Sequence, residues 1–414
     1  MIAGGVGPAI LLLRVDDRSP ARTEATGGRI VGLDGLRAVA ILLVILWHAL
    51  ADTHYRPSSL GPLRAIGALG WTGVDLFFAL SGFLITRLLL CEEEATARRG
   101  LPRAFHIGHF YLRRTLRILP PFYAVLALSL VLARWEVFKS VAPMRALMSD
   151  RPLALLPYAT FWGNYEEQWL HPGADPGAAF SVYWSLCVEE HFYLLWPTVL
   201  TVVRSPSLRL LVGATVCAVL PCVRGLAHLQ GTEGWKAVHM LSHFRIDSIL
   251  LGALVAFGYE RLVARPRLRV GLLAASSAVV LALALRGDLT KPMSVTWLGA
   301  SLGLTALAAS GATLVAQVAA TPRGPLARVL DARPLRALGR ASYGMYLTHF
   351  QVLDVARPLL APLRGVAALH LLATFALVSL GSLGIATLLH VALERPMARL
   401  KVRMGWERPR DAAP

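Results

Sequence analysis

Long apolar stretches separated by short polar segments follow one another along most of this 414-residue chain. In the first, GLDGLRAVAILLVILWHAL from Gly32 to Leu50, every residue between Arg37 and His48 except Trp47 is Ala, Val, Ile or Leu. A run of this length and composition is most of a membrane-spanning helix. Ten spans are predicted, near residues 37–54, 73–91, 115–134, 183–203, 207–223, 239–259, 270–286, 295–319, 341–361 and 366–393.

The basic residues set the orientation of these spans. With the N-terminus on the cytoplasmic side, the tails and loops on that side hold more than twice as many Lys and Arg residues as the outer loops. This asymmetry follows the positive-inside rule. The sequence therefore predicts an all-α polytopic membrane helix bundle of about ten transmembrane helices, N-in and C-in, integral to the plasma or inner membrane.

One further segment, 146–163, is fairly apolar but holds Asp150, Arg151 and two prolines. Treating it as a span would place the basic loops 260–269 and 320–340 outside. We expect it to be an interfacial or re-entrant part of a long outer loop, 135–182, whose polar remainder is suited to face an acceptor. The other expected divisions are a flexible cytoplasmic tail (1–30), a membrane domain (31–397) and a basic cytoplasmic tail (398–414).

Composition excludes two classes of partner. The chain is 55% hydrophobic and 16% charged, whereas soluble domains average about 25% charged residues. Its net charge of +17 would suggest nucleic acid in a soluble protein, but here the basic residues lie in short loops between spans, so no nucleic-acid partner is expected. The four cysteines show no metal-ligand spacing, and neither a metal nor a disulfide is expected.

Several polar residues fall inside the predicted spans. Arg37 and His48 are eleven residues apart and share one helix face. Counting residues from the outer end of each span predicts a common layer, at the depth of His48, for Glu189, Glu190, Arg245 and Asp247. Polar groups at such depths pair or face a hydrated cavity.

Two explanations stay open for this layer. Its charges could form one polar pocket, with His48 as the proton acceptor, or an ion-pair network that holds the helices in register. Two further groups have similar alternatives. Arg114 and Arg117, three apart at a cytoplasmic helix start, suit phosphate binding or anchoring on anionic lipid. His349, which shares a face with Tyr346, either joins the pocket or bridges two helices. Asp75 lies near the outer interface.

Taken together, the polar motifs resemble those of acyltransferase family 3, the integral-membrane O-acyltransferases. The matching pieces, in the family's order over about 30–397, are Arg37-x10-His48, Gly73-Val74-Asp75-Leu76-Phe77-Phe78, Ser81-Gly82-Phe83-Leu84, Arg114-x2-Arg117, Trp184-Ser185-Leu186-x2-Glu189-Glu190-x-Phe192-Tyr193, Arg245-x-Asp247, Ser342-Tyr343-x2-Tyr346-Leu347-x-His349 and Glu394-Arg395-Pro396.

The resemblance implies transfer of an acyl group, commonly acetyl, from cytoplasmic acyl-CoA to a hydroxyl of a carbohydrate, glycolipid or glycosylated small molecule. The acyl-CoA is a co-substrate, and no bound cofactor is expected. His48 would be the general base, Arg37 with Arg114 and Arg117 would bind the donor's phosphates, and Glu189 would orient or help protonate His48. Glu190 is assigned to the same catalytic group. The expected substrate-site residues are Asp75, Trp184, Arg245, Asp247, Tyr346 and His349.

Two departures from the family pattern stand out. His191 replaces the Gln of many relatives, and the extracytoplasmic hydrolase-like domain of larger relatives is not expected here. Without a Gly-x-Ser-x-Gly elbow or a Cys/His pair, direct transfer is simpler than a covalent intermediate.

Two other functions stay open. Intramembrane His, Glu, Asp and Arg are also typical of proton-coupled transporters, and a carrier that only flips the acyl group is a third possibility.

Overall fold

The computed structural model describes residues 29–52, 67, 69–98, 100, 103–231, 234–289 and 296–403. The predicted flexible tail, 1–30, lies almost entirely outside this range, as do residues 404–414 of the predicted basic tail. Ten long helices, here α1 to α10, are found in the described part, in the order of the ten predicted spans. They are α1 Leu33–Asp52, α2 Gly73–Arg98, α3 Arg103–Leu132, α4 Trp184–Val202, α5 Pro206–Leu229, α6 Ser242–Phe257, α7 Pro266–Leu285, α8 Leu304–Ala320, α9 Arg333–Leu359 and α10 Ala367–Leu389.

Short helical turns connect these helices. The α-helical ones are Ala142–Asp150, Leu156–Ala159, Gly163–Tyr165, Ala178–Ser181, Trp235–Met240, Tyr259–Ala264, Pro325–Leu330 and Arg395–Arg403. Gly70–Thr72 and Ala361–Gly365 are 3₁₀ turns, and Glu166–Leu170, Gly299–Gly303 and His390–Glu394 are π-helical turns. No strand occurs in the described residues, which confirms the all-α class.

Eight helical stretches in the described part are long and apolar enough to cross a membrane. They are Leu33–Ala51, Gly70–Arg98, Ile107–Leu132, Pro206–Leu229, Trp235–Phe257, Pro266–Leu285, Gly299–Ala320 and Ala367–Arg399. The two other predicted spans, α4 and α9, are helices of 19 and 27 residues; α4 includes Glu189, Glu190 and His191. A multi-pass membrane protein is confirmed, while the number of crossings and the orientation stay predictions.

The bundle is centred on α2, which packs against α1, α6 and α8. Its closest neighbour is α6, because a glycine on each helix faces the backbone of the other: Gly82 meets the Ile249 carbonyl and Gly252 meets the Ala79 carbonyl. A Cβ atom at either glycine would collide with that carbonyl oxygen. Small residues at such contacts let membrane helices approach closely. At the periphery, α7 exposes apolar side chains such as Leu285, as a lipid-facing helix does.

The outer segment 135–182 does not cross the membrane as one helix. It consists of short helices, and Tyr158 and Phe180 are buried against the bundle. Asp354 of α9 holds its start, because this buried carboxylate accepts hydrogen bonds from the Ser140 backbone N–H (2.9 Å) and from the Ser140 hydroxyl. The segment covers the start of α4, where Tyr183 and Trp184 are buried.

Glu167 in this segment gives its stability a pH dependence. Glu167 Oε2 accepts a hydrogen bond from Ser181 Oγ (2.8 Å), and burial raises the pKa of the Glu167 carboxyl to about 7. A carboxyl whose pKa is higher in the folded than in the unfolded chain stabilises the fold in its protonated form. Its contribution is complete below the unfolded pKa, about 4.3, and is lost as the pH rises through 7.

We expect Glu167→Gln to be more stable than the native protein above pH 7, with a flatter stability profile between pH 4.5 and 7. Gln keeps an oxygen acceptor for Ser181 but has no proton to lose. Thermal unfolding in lipid nanodiscs, followed by tryptophan fluorescence from pH 4.5 to 8, measures this difference. Parallel profiles for the two proteins would contradict it.

Candidate active site

A cavity lies between α1, α2, α3, α4 and α9. Five of the predicted charged residues meet in its wall: Arg37, Arg114, Arg117, Glu189 and Glu190. The rest of the wall is made of Val74, Phe77, Phe78, Ser81, Leu84, Ile118, Ser185, Leu186, Tyr193, Ser342, Tyr343 and Tyr346. Three guanidiniums and two carboxylates line the wall, so the lining has a formal surplus of positive charge, which favours an anionic ligand; Asp34, 3.7 Å from the Arg37 guanidinium, is not part of the lining.

The spacing of the arginines on α3 selects which of them reach the cavity. Arg114 and Arg117 are three residues apart and lie on one helix face. Arg113 turns away and forms an ion pair with Glu92 on α2. The Arg114 guanidinium lies 4.4 Å from the centre of the Tyr193 ring on α4, a cation–π contact that fixes its position in the wall.

Glu189 is held in place by two hydroxyl groups. Its Oε1 accepts a hydrogen bond from Ser81 Oγ (2.7 Å), and its Oε2 accepts one from the Tyr193 hydroxyl (3.1 Å). Ser81 lies eight residues along α2 from Gly73, about 12 Å at the helical rise, and Gly73 packs against Val44 of α1. Glu189 therefore lies at the depth of Arg37 and not at that of His48.

The expected common layer of His48, Glu189 and Glu190 is therefore wrong. That expectation counted residues from the predicted outer ends of the spans and placed the start of α4 at the water interface, whereas Tyr183 and Trp184 at the start of α4 are buried beneath the segment 135–182. His48 does not line the cavity. The suggested role of Glu189 in orienting His48 has no support from this geometry, and the roles of both glutamates stay predictions.

His48 is paired with a second histidine. His349 Nε2 is 3.1 Å from His48 Nδ1, and His349 Nδ1 is 2.7 Å from the carbonyl oxygen of Tyr346. The Phe350 ring packs 4.6 Å from the His48 ring. The Tyr346 ring, which lines the cavity, is 5.6 Å from the His349 ring. His349 thus bridges α1 and α9 and lies between His48 and the cavity wall.

Arg245 and Asp247 do not pair with each other, and each forms an ion pair with a residue of another helix, as the alternative of an ion-pair network between helices predicts. Arg245 Nη2 donates to Asp75 Oδ1 (2.5 Å), and Asp247 accepts from Arg224 Nη1 (2.8 Å) and Nη2 (3.0 Å). All four side chains are almost fully buried. Residues two apart on a helix do not face each other, so this spacing alone argues against a pair within α6.

Arg224 is a buried charged residue that the sequence did not reveal, because it directly follows the predicted span 207–223 and so falls in the predicted loop 224–238. It lies inside α5 and makes a dense set of bonds. Besides Asp247, it donates to the carbonyl oxygens of Phe244 (2.6 Å), Ala300 (2.9 Å) and Ser301 (3.2 Å) and to the Thr305 hydroxyl. Ala300 and Ser301 belong to the π-helical turn before α8. This pair ties α5, α6 and α8 together, so Asp247, predicted to bind substrate, has a structural position.

The described residues contain no group of three or more His, Cys, Asp or Glu side chains arranged to hold a metal ion.

Comparison with known proteins gives one family. The family model described as an acyltransferase domain matches residues 30–391. Similar curated proteins are the peptidoglycan O-acetyltransferase OatA of Listeria monocytogenes (26% identical, over 79% of this chain and 50% of the relative), the putative peptidoglycan O-acetyltransferase YrhL of Bacillus subtilis (28%, 80% and 49%) and the O-acetyltransferase OatA of Staphylococcus aureus (25%, 78% and 50%). The chain spans about half the length of these relatives. No solved structure matches it.

We expect Asp247→Asn to destabilise the bundle by about 3–5 kcal/mol, because it leaves a buried guanidinium without its counter-charge. The double variant Asp247→Asn with Arg224→Met is expected to recover part of this loss. Thermal unfolding in nanodiscs compares them. Glu94→Gln, which breaks the exposed pair with Arg98, serves as the control and should cost less than about 1 kcal/mol. Equal effects of Asp247→Asn and Glu94→Gln would contradict a stabilising role for the buried pair.

Proposed function

The chain belongs to the acyltransferase domain family, and from this membership we propose that it is a membrane O-acyltransferase that moves an acyl group, commonly acetyl, from cytoplasmic acyl-CoA to a hydroxyl of a carbohydrate or glycosylated acceptor. The names of the similar proteins, O-acetyltransferases of which two are named for peptidoglycan, support a carbohydrate acceptor. The proposal includes acyl-CoA as the donor, His48 as the general base and a carbohydrate or glycosylated molecule as the acceptor.

The observation that carries the proposal is the pair of functional positions on α1. Arg37 lines a cavity with a surplus of positive charge, and His48 lies eleven residues further on, about 16 Å along the same helix. The arginine end suits the phosphates of acyl-CoA, since guanidiniums bind phosphate through charge-assisted hydrogen bonds. The histidine end suits proton removal from the acceptor. The pantetheine arm would extend from the cavity past Tyr346 toward His48.

His349 determines which nitrogen of His48 acts as the base. A carbonyl oxygen only accepts, so the contact with Tyr346 requires a proton on His349 Nδ1. In its neutral form His349 then presents an Nε2 lone pair, and His48 Nδ1 must donate to it. The lone pair of neutral His48 is therefore on Nε2. Fixing a tautomer through the second ring nitrogen is the general way in which proteins prepare a histidine for catalysis.

The proposed step is balanced without a covalent enzyme intermediate. His48 Nε2 takes the proton of the acceptor hydroxyl while that oxygen attacks the thioester carbonyl carbon. The tetrahedral intermediate collapses with cleavage of the C–S bond, and the proton on Nε2 passes to the departing CoA sulfur. During the step, the imidazolium keeps its hydrogen bond from Nδ1 to His349 and stays oriented between the two proton transfers.

Variants of the histidine pair test this mechanism. We expect His48→Ala to abolish transfer from labelled acetyl-CoA in membranes, with normal protein abundance. His349→Leu should lower kcat about 10–100-fold, the usual cost of losing an orienting partner, and change the pH profile of kcat. His349→Gln should recover part of the rate, since its amide oxygen accepts from His48 Nδ1. A His349→Leu variant with native kcat and pH profile would remove His349 from the mechanism.

The arginines of α3 are tested separately. We expect Arg114→Ala with Arg117→Ala to raise the KM for acetyl-CoA at least tenfold, about 1.4 kcal/mol, with little change in kcat, because binding of the donor's phosphates is the same in ground and transition states. Arg113→Ala is the matched control, because Arg113 pairs with Glu92 outside the cavity. A double variant with the native KM would refute the phosphate role.

A further inference from the structure

A second polar cluster lies apart from the arginine cavity, on the outer side of the bundle. It consists of Trp71 in the turn Gly70–Thr72, Asp75 at the start of α2, His239 in the short helix before α6, and Arg245 on α6. We call it the outer cluster. The edge of Trp71 meets the His239 ring at 5.6 Å, and His239 packs 4.8 Å from Trp184. The Arg245 guanidinium lies 5.8 Å from the centre of the Trp184 ring.

Five polar atoms of the outer cluster have no hydrogen-bond partner among the residues that the structure describes. They are Trp71 Nε1, Asp75 Oδ2, His239 Nδ1, Arg245 Nε and Arg245 Nη1. An unpaired buried polar group costs about 1–3 kcal/mol. Such a concentration is what a site presents when its groups are arranged for a ligand.

The chemistry of these atoms selects a class of ligand. The indole N–H and the two guanidinium N–H groups donate, the Asp75 oxygen accepts, and the imidazole nitrogen can do either. Hydroxyl groups, which donate and accept at once, match this mixture. The walls are aromatic, since Phe78 and Trp184 flank the Arg245 guanidinium, and flat aromatic faces suit the C–H surfaces of a sugar ring. The charges of Arg245 and Asp75 cancel, so the cluster, unlike the arginine cavity, has no surplus to attract a phosphate.

The position of the outer cluster fits the route of an acceptor. Gly70, beside Trp71, packs against Leu43 and Trp47 of α1, so the turn that carries Trp71 lies at about the depth of His48. His239 is only half-buried and gives the cluster an edge toward the outside. On the inner side, the Phe78 ring separates Arg245 from the arginine cavity.

We propose that the outer cluster binds the hydroxyl groups of an uncharged, hydroxyl-rich acceptor, with Trp71 and His239 as binding residues in addition to Asp75 and Arg245. This inference rests on the proposed O-acyl transfer, because it assigns the acceptor side of that reaction. The donor and acceptor then occupy two sites of different charge, which keeps acyl-CoA out of the acceptor site.

Binding of two probes to the 414-residue chain in nanodiscs tests the proposal without requiring catalysis. The neutral probe is chitotetraose, and the anionic probe is tetragalacturonate, which also offers hydroxyl groups but carries carboxylates. Calorimetry is expected to show binding of chitotetraose in preference to tetragalacturonate. Trp71→Phe, which removes a single N–H and keeps an aromatic ring, should weaken chitotetraose binding about tenfold, the equivalent of one hydrogen bond. Trp162→Phe, at an exposed tryptophan of the outer segment, is the matched control and should bind as the native protein does.

Asp75→Asn gives a second, directional result. With the counter-charge removed, Arg245 leaves the outer cluster positive, and preference should shift from chitotetraose toward tetragalacturonate; thermal unfolding identifies a variant that has merely lost its fold. Native protein that binds neither probe, or Trp71→Phe protein that binds chitotetraose unchanged, would overturn the inference.

Acetyl transfer to chitotetraose, measured on the same preparations, separates the two proposals. Tryptophan-dependent binding without any transfer would keep the acceptor site and refute the proposed function. Transfer whose KM for chitotetraose is the same in Trp71→Phe and native protein would keep the function and refute the acceptor site. If both proposals hold, Trp71→Phe raises that KM about tenfold and leaves the KM for acetyl-CoA unchanged.

Discussion

A charged side chain inside a bilayer must find its partner within the protein, and this requirement organises the centre of the bundle. Arg224 and Arg245 are both almost fully buried, and each is matched to a carboxylate on another helix. The two pairs join α5 to α6 and α6 to α2. Because an unpaired buried charge costs several kcal/mol, these contacts define the register of the helices with a precision that apolar packing against lipid-like neighbours does not provide. The outer cluster, which contains Arg245 and Asp75, is built on this frame.

Much of this arrangement was predictable from the sequence. Apolar run length gives the ten long helices, and the ordered motifs give the family, which the domain match confirms. The convergence of Arg37, Arg114 and Arg117 follows from charge and helical spacing. Depth was not predictable in the same way. Counting residues from an assumed interface fails for Glu189, because the segment 135–182 covers the start of α4. The partner of Asp247 was missed because an arginine at the end of an apolar run is indistinguishable, by sequence, from the first residue of a loop.

The polar groups of the bundle are segregated by net charge. The cavity that holds Arg37, Glu189 and Glu190 keeps a positive surplus, whereas the Arg245–Asp75 pair is neutral as a unit. The donor and the acceptor of the proposed acyl transfer also differ in net charge, because acyl-CoA is polyanionic and a sugar hydroxyl is neutral. Family membership favours this enzymatic interpretation over a transporter. The Phe78 ring lies between the arginine cavity and the Arg245–Asp75 pair.

The partner of His48 shows how the same constraint acts on chemistry. Soluble hydrolases orient their catalytic histidine with a carboxylate, but a carboxylate beside His48 would be a further charge within the bundle and would favour the imidazolium before any acceptor arrived. His349 is neutral, and its tautomer is fixed by a backbone carbonyl that is part of α9 itself. The pair therefore directs the lone pair of His48 without adding charge to the low-dielectric interior. In the proposed transfer, stabilisation of the imidazolium is weaker than a carboxylate would give, so the proton is more readily returned to the departing sulfur.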